Sequence, residues 1–116
     1  MIPISTLEQI TGLSGLTARQ LGKSGCHWDA GTNVVSYGVQ QLGTQDLSHT
    51  VDLGNGHDGV VQEAARGVGG IDLRLPPDRL VNITVSVPES SDVGTIILNL
   101  GKAFSAVSDT LPALPK

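Results

Sequence analysis

A strict alternation of apolar and polar residues in the last third of the chain constrains the fold most. Apolar side chains occupy every second position of one stretch, with polar ones between: Val81, Ile83, Val85 and Val87 against Asn82, Thr84 and Ser86. Successive side chains of a strand point to opposite faces, so this pattern predicts a half-buried antiparallel strand. Ile71, Leu73 and Leu75 alternate in the same way, and Pro76-Pro77-Asp78 predicts a turn between the two strands.

Two further strands are predicted upstream. The stretch NVVSYGVQQL, which begins at Asn33, places Val35, Tyr37 and Val39 on one face. Leu47 to Leu53 alternates similarly, and the two segments could pair as a hairpin. The cluster GNGHDG after Leu53 contains Asn-Gly, which readily adopts the positive φ angles of a tight turn.

The spacing changes from strand to helix after Pro88. Apolar residues recur at intervals of three and four along one stripe: Val93, Ile96, Ile97, Leu100, Phe104 and Val107. Ser90 or Ser91 is expected to cap the first turn, and Asp92 to complement the helix dipole. The pattern predicts an amphipathic helix over residues 90–108.

The N-terminal residues give a weaker signal because glycines interrupt them repeatedly. Ser5 or Thr6 could cap a short helix carrying Leu7 and Ile10, and Thr17–Lys23 could form another turn or two. We expect either an irregular arm or short helices over residues 1–30.

Length and pattern together predict one domain over residues 1–116, with β-strands over 33–87. The expected architecture is mainly β with one C-terminal helix, an α+β class. It is a small antiparallel β-sandwich or barrel-like domain with a flanking helix and an irregular N-terminal segment. Only three aromatic residues are present, so the core is aliphatic and thin, and contact with further copies is a way to complete it.

Several local patterns contain residue types found in catalytic or metal sites. Cys26-His27 could activate a thiol, but neighbouring residues usually point in different directions. A zinc site could in principle combine this pair with His49 and His57, but the spacing of the four residues matches no established set of zinc ligands. The stretch from Asp52 to Glu63 has acidic residues at the first and twelfth positions of a calcium loop, yet glycines replace the oxygen ligands between them. We therefore expect no catalytic residues, no metal and no cofactor.

Charge argues against nucleic-acid binding. The net charge is −4, and the seven Lys and Arg residues are dispersed along the chain. A helix-turn-helix over the N-terminal segment would present only Arg19 and Lys23 to phosphate. The sequence has no apolar run of membrane-spanning length and no signal-peptide pattern, so synthesis in the cytoplasm is expected.

The segment from Gly67 to Phe104 resembles part of a bacteriophage tail-tube protein. In GVGGIDLRLPPDRLVNITVSVPESSDVGTIILNLGKAF, the likeness is strongest over ITVSVPESSDVGTIILNL, a strand rich in Thr and Val followed by a turn and a short helix. The resemblance implies subunits that form rings, which stack into a hollow tube. An acidic wall would let DNA pass without sticking.

The predicted function is therefore a structural subunit of a virion or phage-tail-like assembly, located in the virion and otherwise cytoplasmic. Its partners would be further copies of itself and other virion proteins. Rings would form through strand edges and the helix, with interface residues Val81, Ile83, Val85, Val87, Val93, Ile96, Ile97, Leu100 and Phe104. The alternatives are a capsid decoration protein or other small binding module, and a small metal- or thiol-dependent enzyme.

Overall fold

A computed structural model describes residues 4–21, 25–41, 50–75, 79–89 and 91–107. These residues form two helices and seven strands: α1 (Ile4–Thr11), β1 (Thr17–Leu21), β2 (Gly25–Ala30), β3 (Asn33–Gln41), β4 (Thr50–Gly54), β5 (His57–Ala65), β6 (Val68–Leu75), β7 (Arg79–Ser86) and α2 (Val93–Ala106). Neither helix is long and apolar enough to cross a membrane.

All seven strands belong to one sheet with the order β1-β2-β3-β7-β6-β5-β4, and every neighbouring pair is antiparallel. Helix α2 packs across β4, β5, β6 and β7, and α1 contacts α2. The predicted mainly β, α+β class is confirmed. The second layer of the domain consists of helices, where the sequence suggested a second sheet or a closed barrel.

The core lies between the sheet and α2. The three aromatic residues of the chain meet there: the ring centroid of Phe104 lies 4.8 Å from that of Tyr37 and 6.4 Å from that of Trp28. All three side chains are buried. Because each aromatic ring buries a large apolar area, this cluster anchors α2 to the centre of the sheet.

Two glycines, one on the sheet and one on helix α2, pack against the same leucine. A Cβ atom on Gly59 of β5 would lie 2.7 Å from a methyl carbon of Leu53, and one on Gly101 of α2 would lie 2.9 Å from the other. Leu53 is buried between the two elements. The absence of side chains at both glycines therefore makes room for the leucine.

The strands with clean alternation are confirmed. β7 buries Val81, Ile83 and Val85, and β3 buries Val35 and Tyr37 on the same side. The Asn-Gly turn is also confirmed, because it joins β4 to β5 with φ of 56° at Asn55 and 77° at Gly56. The expected turn over residues 76–78 lies outside the described residues.

Two predictions about the strands were wrong. Thr17–Leu21 is a strand, because it pairs with β2, and Ala18 lies opposite Trp28. Tertiary pairing here overrides the helix propensity of Ala, Arg, Gln and Leu. The β3–β4 hairpin that the sequence allowed does not form either: β3 pairs with β2 and β7, whereas β4 pairs with β5 at the far edge.

The residue that caps α2 is Asp92, whereas Ser90 or Ser91 was expected. The Asp92 carboxylate accepts hydrogen bonds from the backbone N–H of Thr95 at 3.3 Å and from its hydroxyl at 2.8 Å. These hydrogen bonds lower the pKa of Asp92. Ser90 lies outside the described residues.

Candidate functional site

The nine predicted interface residues all lie in the core of the chain itself: Val81, Ile83, Val85, Val87, Val93, Ile96, Ile97, Leu100 and Phe104. The structure brings them together, because the apolar stripe of α2 covers the apolar face of β6 and β7. Each is at most 7% exposed. A second molecule cannot contact these side chains unless α2 leaves the sheet.

The two outer strands are better placed to meet a partner. Strands β1 and β4 each have five residues, and each pairs on one side only among the described residues. The outer side of such a strand presents a row of backbone N–H and C=O groups that can pair with another strand. Because seven strands alternate in direction, β1 and β4 run in the same direction.

The sheet has one face toward the helices and one open face, and both edge strands contribute side chains to each. On β1, Arg19 lies opposite His27 on the open face, whereas Ala18 lies opposite buried Trp28. On β4, Asp52 lies opposite Asp58 on the open face. The open face thus carries charged side chains at both edges of the sheet.

A cavity of about 680 Å³ lies beside the β4–β5 hairpin. Its lining residues come from β4, the turn, β5 and β6: Thr50, Val51, Asp52, Gly56, His57, Asp58 and Arg74. Within it, Arg74 Nη1 donates hydrogen bonds to both carboxylate oxygens of Asp58, at 3.0 and 2.9 Å. Arg74 Nε is buried and has no hydrogen-bond partner within the described parts of the chain.

Asp52 differs from Asp58 in having no basic partner among the residues that the structure describes. Its Oδ1 accepts the backbone N–H of Gly54 at 2.9 Å, an interaction typical of an Asx turn. Two carboxylates directly opposite each other on adjacent strands repel. Arg74 compensates one of them, so the cavity keeps an uncompensated negative charge at Asp52.

His57 is held in one orientation by helix α2. The Ser105 hydroxyl donates to the carbonyl of Gly54 at 2.9 Å and lies 2.8 Å from His57 Nδ1. A hydroxyl carries a single proton, and that of Ser105 is given to Gly54, so the Ser105 oxygen accepts the Nδ1–H of His57.

A second polar group on the open face is fully satisfied. The carboxylate of Asp72, on β6, is 8% exposed. It accepts from Asn82 Nδ2 at 2.6 Å and from Gln62 Nε2 at 2.9 Å. Ser36 and Thr84 share a further hydroxyl hydrogen bond of 2.7 Å. These hydrogen bonds join neighbouring strands. The side chains that form them are therefore less available to bind a ligand.

The sites considered from the sequence do not assemble. Cys26 faces the core and His27 the open face, so the two cannot act as a pair. Burial raises the pKa of the Cys26 thiol, which disfavours the reactive thiolate. His49 lies outside the described residues. Within the described ranges, no three His, Cys, Asp or Glu residues are arranged to hold a metal ion.

The cavity beside β4 was missed from the sequence, although a signal was present. Asp52 and Asp58 flank the Asn-Gly turn at positions that a tight hairpin brings together. Two facing carboxylates require a cation, and Arg74 supplies it from β6. No protein-family model, curated sequence or solved structure matches this chain, and its function is therefore inferred from its own chemistry.

Proposed function

We propose that this chain is a non-enzymatic structural subunit that assembles head to tail into homo-oligomeric rings, as part of a virion or phage-tail-like assembly. The observation that carries the proposal is the pair of outer strands, β1 and β4. Each pairs on one side only within the described residues, and the two run in the same direction. One repeated junction between β4 of one copy and β1 of the next can therefore join any number of copies.

The odd number of strands determines the geometry of that junction. If the next copy keeps its helices on the same side, its β1 lies beside β4 in a parallel orientation. A heterologous contact of this kind generates a ring when the rotation between copies closes. The helix-side residues Ala18 and Val51 would meet across the junction, since both are half-buried against the core already. The apolar layer would then continue from one copy into the next.

Two observations support the virion part of the proposal. The resemblance to tail-tube proteins falls on residues 67–104, which comprise β6, β7 and most of α2. The net charge of −4 suits a ring through which a polyanion passes, because like charges repel. The contact itself is expected at the strand edges, since the apolar stripe of α2 is occupied within the chain.

The proposal is tested by measuring the mass of the purified full chain in solution over a range of concentrations. Sedimentation velocity and electron microscopy should show closed rings. Amide hydrogen exchange should slow in β1 and β4 on assembly, while β7, at the centre of the sheet, serves as the internal control. A chain that stays monomeric at millimolar concentration would contradict the proposal and favour a decoration or binding module.

A further inference from the structure

The centres of the two edge strands carry opposite charges. Arg19 is the middle residue of β1, and its side chain is 69% exposed. Asp52 is the middle residue of β4 and is also exposed. Both belong to the open face of the sheet, as their strand partners His27 and Asp58 do. Each edge therefore has one charged group at its midpoint.

These charges distinguish the ways in which two copies can pair. If two β1 strands meet antiparallel about a two-fold axis with full overlap, Arg19 lies beside Arg19 of the other copy. Two β4 strands would likewise place Asp52 beside Asp52. Like charges directly opposite on neighbouring strands are destabilising. In the parallel junction between β4 and β1, full overlap of the five-residue strands brings Arg19 beside Asp52.

We propose that Arg19 of one copy forms an ion pair with Asp52 of the next, and that this pair sets the register of the junction and disfavours two-fold dimers. The inference rests on the proposed head-to-tail assembly and identifies the residues that give it specificity. The occupant of the cavity beside β4 is thus the arginine side chain of a second copy.

The cavity fits a guanidinium group. Its volume of about 680 Å³ is ample for one side chain, and Thr50, Asp52 and His57 are among its lining residues. Asp52 Oδ2 accepts no hydrogen bond from the described residues, while Oδ1 is already held by Gly54. Arginine presents five donors and no acceptor, which suits the exposed carboxylate of Asp52.

Arg19 can exchange its present partner for one on another copy. It lies 3.7 Å from Asp29, measured from Nη2 to Oδ2, and the arginine side chain of this pair is 69% exposed while the aspartate is half-buried. A long ion pair with a largely exposed arginine contributes little to stability, so exchanging Asp29 for Asp52 of another copy costs little. Arg74 is committed to Asp58 and does not compete for Asp52.

A charge-reversal experiment on the full chain tests the contact. Arg19→Glu and Asp52→Lys should each weaken self-association about tenfold at low salt, and the double variant should restore most of the loss. Lys102→Glu, on the exposed side of α2, is the matched control and should leave association unchanged. Association is measured by sedimentation, and Trp28 fluorescence verifies that each variant is folded.

The outcomes separate the contact from the assembly. If the native chain forms rings and the single variants assemble equally well, or the double variant does not recover, the ion pair is refuted while head-to-tail assembly stands. If the native chain forms only two-fold dimers or stays monomeric, the proposed function fails and the ion pair with it. The contact is supported only if both single variants associate more weakly than the native chain and the double variant recovers most of the lost association.

Discussion

The single tyrosine of the chain provides a direct measure of how strongly the core excludes water. Tyr37 is 2% exposed and stacks with Trp28 at a centroid distance of 5.7 Å. Burial, with a smaller effect of the nearby Cys26, raises the pKa of Tyr37 to about 12. The ordinary pKa of a tyrosine is about 10. The folded protein therefore keeps a proton that the unfolded chain releases.

The size and sign of the effect on stability follow from this difference. Below pH of about 10 both states are protonated, and the contribution of Tyr37 is fully present. Between about 10 and 12 the unfolded chain binds fewer protons, so the free energy of unfolding falls by about 1.4 kcal/mol per pH unit. The total loss is about 3 kcal/mol, which is a large part of the stability of a small domain.

The ionisation of Tyr37 and the unfolding of the chain can be followed separately by spectroscopy. Tyr37 is the only tyrosine and Trp28 the only tryptophan, so tyrosinate absorbance reports one ionisation and indole fluorescence reports unfolding at one site. Urea unfolding is measured at a series of alkaline pH values for the native chain and for Tyr37→Phe. The variant should lose the part of the alkaline slope that Tyr37 contributes and retain the part that Cys26 contributes, because the pKa of Cys26 is also raised by burial. Ionisation of folded Tyr37 near pH 10, or equal slopes in both proteins, would refute the reasoning.

Three substitutions test the packing around α2, each by urea unfolding followed through the single tryptophan. Gly59→Ala should destabilise by about 1–3 kcal/mol, because its Cβ would lie 2.8 Å from a carbonyl oxygen of β6; Gly38→Ala, with open space around it, is the neutral control. Ser105→Ala should cost about 0.5–1.5 kcal/mol, since it removes the hydrogen bonds to the Gly54 carbonyl and to His57 Nδ1, and an unchanged midpoint would contradict the hydrogen-bond assignment. Phe104→Ala should cost about 3–5 kcal/mol by opening a cavity in the aromatic cluster, and a loss below 1 kcal/mol would show that α2 is not anchored there.

The elements that could be predicted are those in which a local pattern and the final environment agree. β7 alternates because one side meets α2 and the other faces outward, and α2 has its apolar stripe because it covers the sheet. The Asn55-Gly56 turn needs only two residues with positive φ. In each case the residues that determine the structure are neighbours in sequence.

The elements that were missed depend on partners distant in sequence. β1 contains good helix formers and is a strand only because β2 lies beside it. β2 starts at Gly25 and is too short to alternate clearly, yet Cys26 and Trp28 fill the core. The cavity beside β4 requires Arg74 from a strand that the chain reaches after two turns. Strand order decides such features, and periodicity does not encode strand order.

The structure also changes the physical reason for expecting assembly. The sequence suggested that a thin aliphatic core would need sister molecules to complete it, but Trp28, Tyr37 and Phe104 form one buried cluster within a single chain. The apolar stripe of α2 is covered by the same chain. In the described part of the chain, the outer backbone groups of β1 and β4 have no strand partner, and Asp52 at the midpoint of β4 has no basic partner. Backbone pairing and one ion pair stabilise a junction weakly compared with a buried apolar interface, so the rings should dissociate on dilution or in high salt into folded subunits.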